Sequence, residues 1–323
     1  MRLDASTSAG MMEEYTPKGN PGRFAGEMDV SRHDSSGVPT PGENRFRRYV
    51  FDSPAARLAS LVTGAEEVNF FYDFLFVKEP GTREVTRWHQ DEPYWAVSGE
   101  HVCSVWLPLD PIPKQTCLEF VAGSHRWGKT FAPIRFADGQ PYEPTTLPLI
   151  PDIEAERRSS PDGADDGVVE GGGGRDEGDG GVCKHRILSW ELQPGDCLVF
   201  HSRVLHCAPA NTSTKHRRRA LSTRWCGEQS RYAAPSGCVG IGYPNFDVPL
   251  ADGDRMTCPA FPIVWPRSHP ERPDYDPEKE KKDGTRCGRG DEVGANELLP
   301  ADVAAAYERL RKEQASKYSL TGG

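Results

Sequence analysis

No run of apolar residues in this chain approaches the length of about 20 that a membrane-spanning helix needs, so no transmembrane helix is expected. The first residues lack the apolar core of a signal peptide and carry acids early. Nine cysteines are present, but none stands in a Cys-x-x-Cys pair, and an odd, scattered set fits reduced thiols better than a disulfide framework. A soluble, cytoplasmic protein is the expectation. Positive charge is in short supply as well. A net charge of −9 and a pI near 5.6 disfavour nucleic-acid binding through bulk charge.

Apolar residues make up 36% of the chain and mean hydropathy is −0.64, both low for a chain packed from end to end. The shortfall is uneven. Residues 1–45 are rich in Gly, Pro, Ser and charge and read as a disordered leader. Residues 152–181 form a low-complexity Gly/Asp/Glu insert that buries too little apolar area to offset its ordering. It lacks the spaced Asp-x-Asp-x-Asp-Gly pattern of a calcium loop. Residues 270–323 form a charged C-terminal tail with a terminal helix expected over 301–318. What remains is one domain over 46–269, interrupted by the insert.

Within that domain the apolar pattern is mostly that of strands. Residues 68–78 (VNFFYDFLFVK) are aromatic and β-branched. Further strands are expected over 102–109, 118–121, 186–192, 197–200 and 217–225. Residues 46–62 carry an apolar face at helical spacing, with Pro54 as a break.

The stretch Val85-Thr86-Arg87-Trp88-His89-Gln90-Asp91 holds the first chemical signal. On an extended strand, residues two apart face the same way. His89 and Asp91 thus place an imidazole beside a carboxylate, two thirds of the two-His-one-carboxylate triad that holds non-haem Fe(II) with open positions. His206 ends the apolar run that starts at Leu198 and supplies a third ligand. His201 competes, but its odd separation from His206 puts the two on opposite faces of a regular strand. Downstream, alternation puts Arg218, Ala220 and Ser222 on one face and Arg217, Arg219 and Leu221 on the other. A guanidinium fork there suits a carboxylate.

His89-Gln90-Asp91, Leu118-Glu119-Phe120-Val121-Ala122-Gly123-Ser124-His125, Pro194-Gly195-Asp196, His206 and Arg218-Arg219-Ala220 together resemble the phytanoyl-CoA dioxygenase (PhyH) family of Fe(II)/2-oxoglutarate oxygenases. The resemblance runs over about residues 70–232, apart from the insert. It implies a mainly β fold, a double-stranded β-helix (jelly roll) with flanking helices. It also implies oxidation of a small-molecule or lipid-like substrate by O2, coupled to decarboxylation of 2-oxoglutarate. His89, Asp91 and His206 take the metal positions. Arg218 takes the 2-oxoglutarate position because the family's arginine stands two before an alanine; Arg217 and Arg219 stay open because the interval after His206 is one residue longer. Trp95 matches an aromatic that lines the substrate pocket in relatives, or else it is core. Cys117 stands where relatives carry glycine, which questions the local turn. Ala208 replaces a serine that contacts 2-oxoglutarate. Asp91 argues against a halogenase, which vacates the carboxylate position. The competing function is a metal-binding, cupin-like jelly roll without oxygenase activity, which has no need of a buried arginine facing the metal.

Overall fold

A computed structural model describes residues 12–14, 16, 22–28, 45–136, 138–142, 145–159, 185–233 and 248–272. The elements run β1 (Met12–Glu14), β2 (Phe24–Met28), α1 (Arg45–Asp52), α2 (Ala55–Thr63), β3 (Val68–Lys78), β4 (Thr86–His89), β5 (Val97–Ser98), β6 (Val102–Pro108) and β7 (Glu119–Val121). They continue with α3 (Ile153–Ser159), β8 (Ile187–Leu188), β9 (Leu198–His201), β10 (His206–Ala208), β11 (Arg218–Gly227), β12 (Arg231–Tyr232) and β13 (Ile263–Trp265). Every strand pairing is antiparallel. The larger sheet has the order β1-β2-β3-β11-β6-β9, with β13 also on β3; the smaller has β4-β10-β7-β8. This is the jelly roll, mainly β with few helices.

Strand alternation divides the core. On β11, Trp225 faces outward and packs with Phe70, Val105 and the alanines of α2. The helices therefore cover the outer face of the large sheet, and Pro54 separates α1 from α2 as its fixed φ and missing N–H require. Ala220, on the inner face, packs with Trp106, Phe120 and Phe200 between the two sheets. The site opens into this inner layer.

Two expectations fail here for physical reasons. The leader is not disordered throughout. β13 covers only the start of β3, at Val68 and Asn69, so the far half of this eleven-residue strand presents an open edge. β2 fills it, with Phe24 opposite Lys78 and Met28 opposite Phe74. An uncovered edge of that length is a liability, and five residues without clear periodicity suffice to cover it.

The insert also starts with structure. α3 buries Ile153 at 1% exposure. Glu154 accepts a 2.9 Å hydrogen bond from Trp88 Nε1, and Arg157 meets Glu119 at 3.0 Å. Residues 160–184, and the expected terminal helix over 301–318, lie outside the described residues. Ile153→Ala should therefore cost about 2–5 kcal/mol by cavity formation. A urea unfolding curve reads this. A loss below about 0.5 kcal/mol, the size of a typical surface change, would show that α3 does not anchor the small sheet.

Candidate metal and cosubstrate site

His89 and His206 are direct partners across the β4–β10 ladder. Their rings lie 4.2 Å apart, centroid to centroid. Each imidazole is fixed by its other nitrogen. His89 Nδ1 lies 2.8 Å from the Arg87 carbonyl and His206 Nδ1 3.1 Å from the Val204 carbonyl. A carbonyl only accepts, so each Nδ1 carries the proton and each Nε2 presents a lone pair. The rings of Phe120 and Phe200 pack against His206, at 5.8 and 4.9 Å.

Asp91 arrives differently from the sequence argument. β4 ends at His89, and Asp91 is in helical conformation (φ −73°, ψ −43°) at the start of a 3-10 turn over Glu92–Tyr94. The backbone N–H groups of Asp91 and Glu92 both donate to the Ser202 carbonyl, at 2.9 and 3.1 Å. Gln90, fully buried, ties the same corner down. Its amide donates to the carbonyls of Lys129 and Arg203 and accepts from the Phe131 N–H. Asp91 Oδ1 is thereby brought to 3.6 Å from His89 Nε2 and 3.8 Å from His206 Nε2. Ser104 Oγ donates to the other carboxylate oxygen at 3.1 Å. Neither separation is a hydrogen bond. Both suit a shared ion, because two atoms each about 2 Å from one metal lie at most about 4 Å apart.

All three residues are buried. Burial holds the His206 imidazole down, at about 4, with the neighbouring His89 adding to the effect. For Asp91, burial alone would push the carboxyl up; His206, His89 and Arg224 outweigh it and hold it down at about 2. At neutral pH the carboxylate is ionised and His206 neutral, as metal ligands must be. The donor set fits a divalent iron.

The triad lines a cavity between the sheets, shared with Arg218, Ala220, Ser222 and Arg224 of β11. Of the three consecutive arginines, Arg218 alone is on this face. Arg217 lies 3.5 Å from Glu79 with half its side chain exposed. Arg219 forms a fork with both oxygens of Asp110, at 3.0 and 2.7 Å. Arg218 is buried and donates to the carbonyls of Thr116 and Pro209. No carboxylate of the described residues pairs with it. Burial pulls its pKa down to about 10, so it stays charged at neutral pH. Cys117 raises no difficulty at the nearby turn, because its backbone is extended (φ −78°, ψ 171°), which any residue adopts.

Two sequence-derived placements change, and one cavity residue is new. Trp95 is not on the cavity wall. The 3-10 turn ends the alternation that would carry it there, and it packs in the core at 5.9 Å from both Phe71 and Tyr72. His201 sits on β9 in the other sheet, because the chain switches sheets between β9 and β10. Its Nε2 meets the Glu100 carbonyl at 3.0 Å, remote from the triad's ladder. Arg224 was missed, although it simply continues the inward series 218, 220, 222.

The sequence profile of the family described as "Phytanoyl-CoA dioxygenase (PhyH)" matches residues 23–220. The chain belongs to this family. The PhyH match begins one residue before β2, so the edge strand is part of the family domain. Membership brings dioxygenase-type chemistry with iron and 2-oxoglutarate as cofactors. Among solved structures, the chain is similar to the non-heme alpha ketoglutarate dependent epimerase SnoN from nogalamycin biosynthesis. Identity is 19%, the TM-score is 0.51, and the match covers 78% of this chain and 82% of that one. A SnoN structure in complex with Fe3+, alpha ketoglutarate and nogalamycin RO gives 20%, 0.51, 78% and 83%. The carbocyclase SnoK from the same biosynthesis gives 19%, 0.50, 75% and 76%. At these identities the likeness shows the fold. No curated protein matches the sequence.

Proposed function

We propose that the chain is an Fe(II)- and 2-oxoglutarate-dependent dioxygenase that hydroxylates a small-molecule or lipid-like substrate, with release of succinate and CO2. The observation that carries this reading is the placement of a buried His-Asp-His set and an acid-free buried arginine in one cavity. A metal-binding jelly roll without oxygenase activity has no use for Arg218.

In this reading His89 Nε2, Asp91 Oδ1 and His206 Nε2 would hold the iron, a donor set that leaves coordination positions open. Bound iron with 2-oxoglutarate supplies the means to split O2, one oxygen going to succinate and the other to the substrate. Arg218 holds the distal carboxylate of 2-oxoglutarate through its fork. Ser104 fixes the carboxylate plane of Asp91, leaving Oδ1 for the metal. Buried Lys78 stands opposite Arg218 on β3. Its amine donates to the carbonyls of Glu84 and Pro209, both at 2.9 Å, and joins β3 to the chain leaving β10. Burial first, and Arg218 second, hold that amine well below the usual lysine range. Phe120 and Phe200 keep water from His206. No helix among the described residues is long and apolar enough to cross a membrane. We place the protein in the cytoplasm on its scattered cysteines, six of which are described and unpaired.

Succinate release from 2-oxoglutarate with Fe(II), measured across a panel of metabolites, tests this function. The expected result is stimulation by a subset of the panel, with a product one oxygen atom heavier than its substrate. A product of unchanged mass, or one lacking two hydrogens, would contradict hydroxylation while keeping the oxygenase class. No succinate from any member, together with no binding of 2-oxoglutarate, would contradict the whole reading.

A further inference from the structure

A second inward cation, which helps to keep Asp91 ionised, has no ligand of its own in the chemistry above. Arg224 is buried and lines the same cavity as the triad. Its guanidinium carbon lies 4.6 Å from the Tyr72 ring centre, 5.8 Å from Trp95 and 5.9 Å from Phe76. Nη1 donates to the Ser222 carbonyl at 2.8 Å. Nε is buried without a hydrogen-bond partner. No carboxylate of the described residues forms an ion pair with the group. A guanidinium has five N–H donors; Nη1 is engaged, Nε is not, and an unpaired buried donor is costly. Aromatic rings take the faces of the cation. Its edge is the side on which an oxyanion docks with two parallel hydrogen bonds.

The cosubstrate does not account for it. Arg218 and Arg224 are six residues apart on one strand, about 20 Å between Cα atoms at 3.3–3.4 Å per residue. A five-carbon diacid held by Arg218 at one end and by the metal at the other has no third anion to offer. Arg224 is close enough to the triad for its charge to act on both Asp91 and His206. We propose that Arg224 anchors a carboxylate of the primary substrate, which makes that substrate an organic acid. Trp95 then acts as a positioning residue, through the guanidinium it packs against.

This rests on the dioxygenase reading of the site, and the test separates the two. The protein is loaded with Zn(II), which is redox-inert, and saturated with 2-oxoglutarate so that Arg218 is occupied. Benzoate, hexanoate and octanoate are then compared with their amides by equilibrium dialysis. At least one acid should bind tenfold or more tighter than its amide, and Arg224→Gln should abolish that preference. Zinc content and 2-oxoglutarate affinity should stay within twofold of wild type. No preference for acids in the wild type, or a preference that survives Arg224→Gln, overturns the proposal. A tenfold loss of 2-oxoglutarate affinity in Arg224→Gln, with the preference kept, assigns the arginine to the cosubstrate and overturns it too. If the wild type fails to bind 2-oxoglutarate at all, the dioxygenase reading falls, and this inference with it. Should Arg224→Gln not fold, Arg224→Lys decides. A point charge in place of a fork should weaken acid binding several-fold, and an unchanged affinity overturns the proposal.

Discussion

His89→Ala and Asp91→Ala should each abolish iron binding and turnover. Each removes one of three converging donor atoms and leaves two, with water filling the gap. Loss of a group one shell out from a metal already costs roughly 10–100-fold in affinity or activity. Loss of a ligand should cost more than the upper end of that range. Iron per chain, measured after gel filtration, should fall from near one equivalent to background, and succinate release should fall with it. His201→Ala is the control: its ring lies on the other sheet, against the Glu100 carbonyl, and iron content should not change. If both ligand variants keep wild-type iron and activity, the metal site is elsewhere. Asp91→Gly makes room for a halide at the vacated position, so chloride belongs in the assay of that variant.

The second large effect concerns Arg218. Truncation to alanine leaves the distal carboxylate of 2-oxoglutarate partly buried and unpaired. That should cost roughly 2–5 kcal/mol, and each 1.4 kcal/mol is tenfold. The KM for 2-oxoglutarate should therefore rise at least about tenfold in Arg218→Ala, with iron content unchanged. Arg217→Ala and Arg219→Ala should move it little, since those side chains are spent on Glu79 and Asp110 at the surface. A 2-oxoglutarate titration of the three variants beside wild type reads the difference. A large effect at Arg217 or Arg219 and none at Arg218 would mean that the cosubstrate does not enter this cavity.

How far the sequence carries depends on how local each determinant is. β11 is long and regular, so period-two alternation separates Arg218 from Arg217 and Arg219, the spacing before Ala220 in the family selects Arg218, and the same period extended one step reaches Arg224. β3 is legible for the same reason. His89 and His206 are named by residue type, but their direct pairing across β4 and β10 is a long-range fact that no local pattern contains. Asp91 comes beside the two histidines by a route that strand alternation does not contain. It leaves the strand, and its position depends on the Ser202 carbonyl and on the Gln90 amide, one of them more than a hundred residues away in the chain. Trp95 shows the opposite case, where the same broken alternation gives a wrong placement. β2 and α3 were illegible because neither has periodicity of its own. One exists to cover an open sheet edge, the other because Ile153 finds a pocket on the small sheet.

The joint claim is that iron and 2-oxoglutarate occupy this cavity together, one held by the triad and the other reaching from it to Arg218. Calorimetric titration of 2-oxoglutarate under anaerobic conditions tests that most directly, with the protein first loaded with one equivalent of Fe(II) and then stripped of metal. The expected result is one binding site per chain with iron present and at least tenfold weaker binding without it. No binding in the presence of iron, or the same affinity with and without it, would contradict the claim.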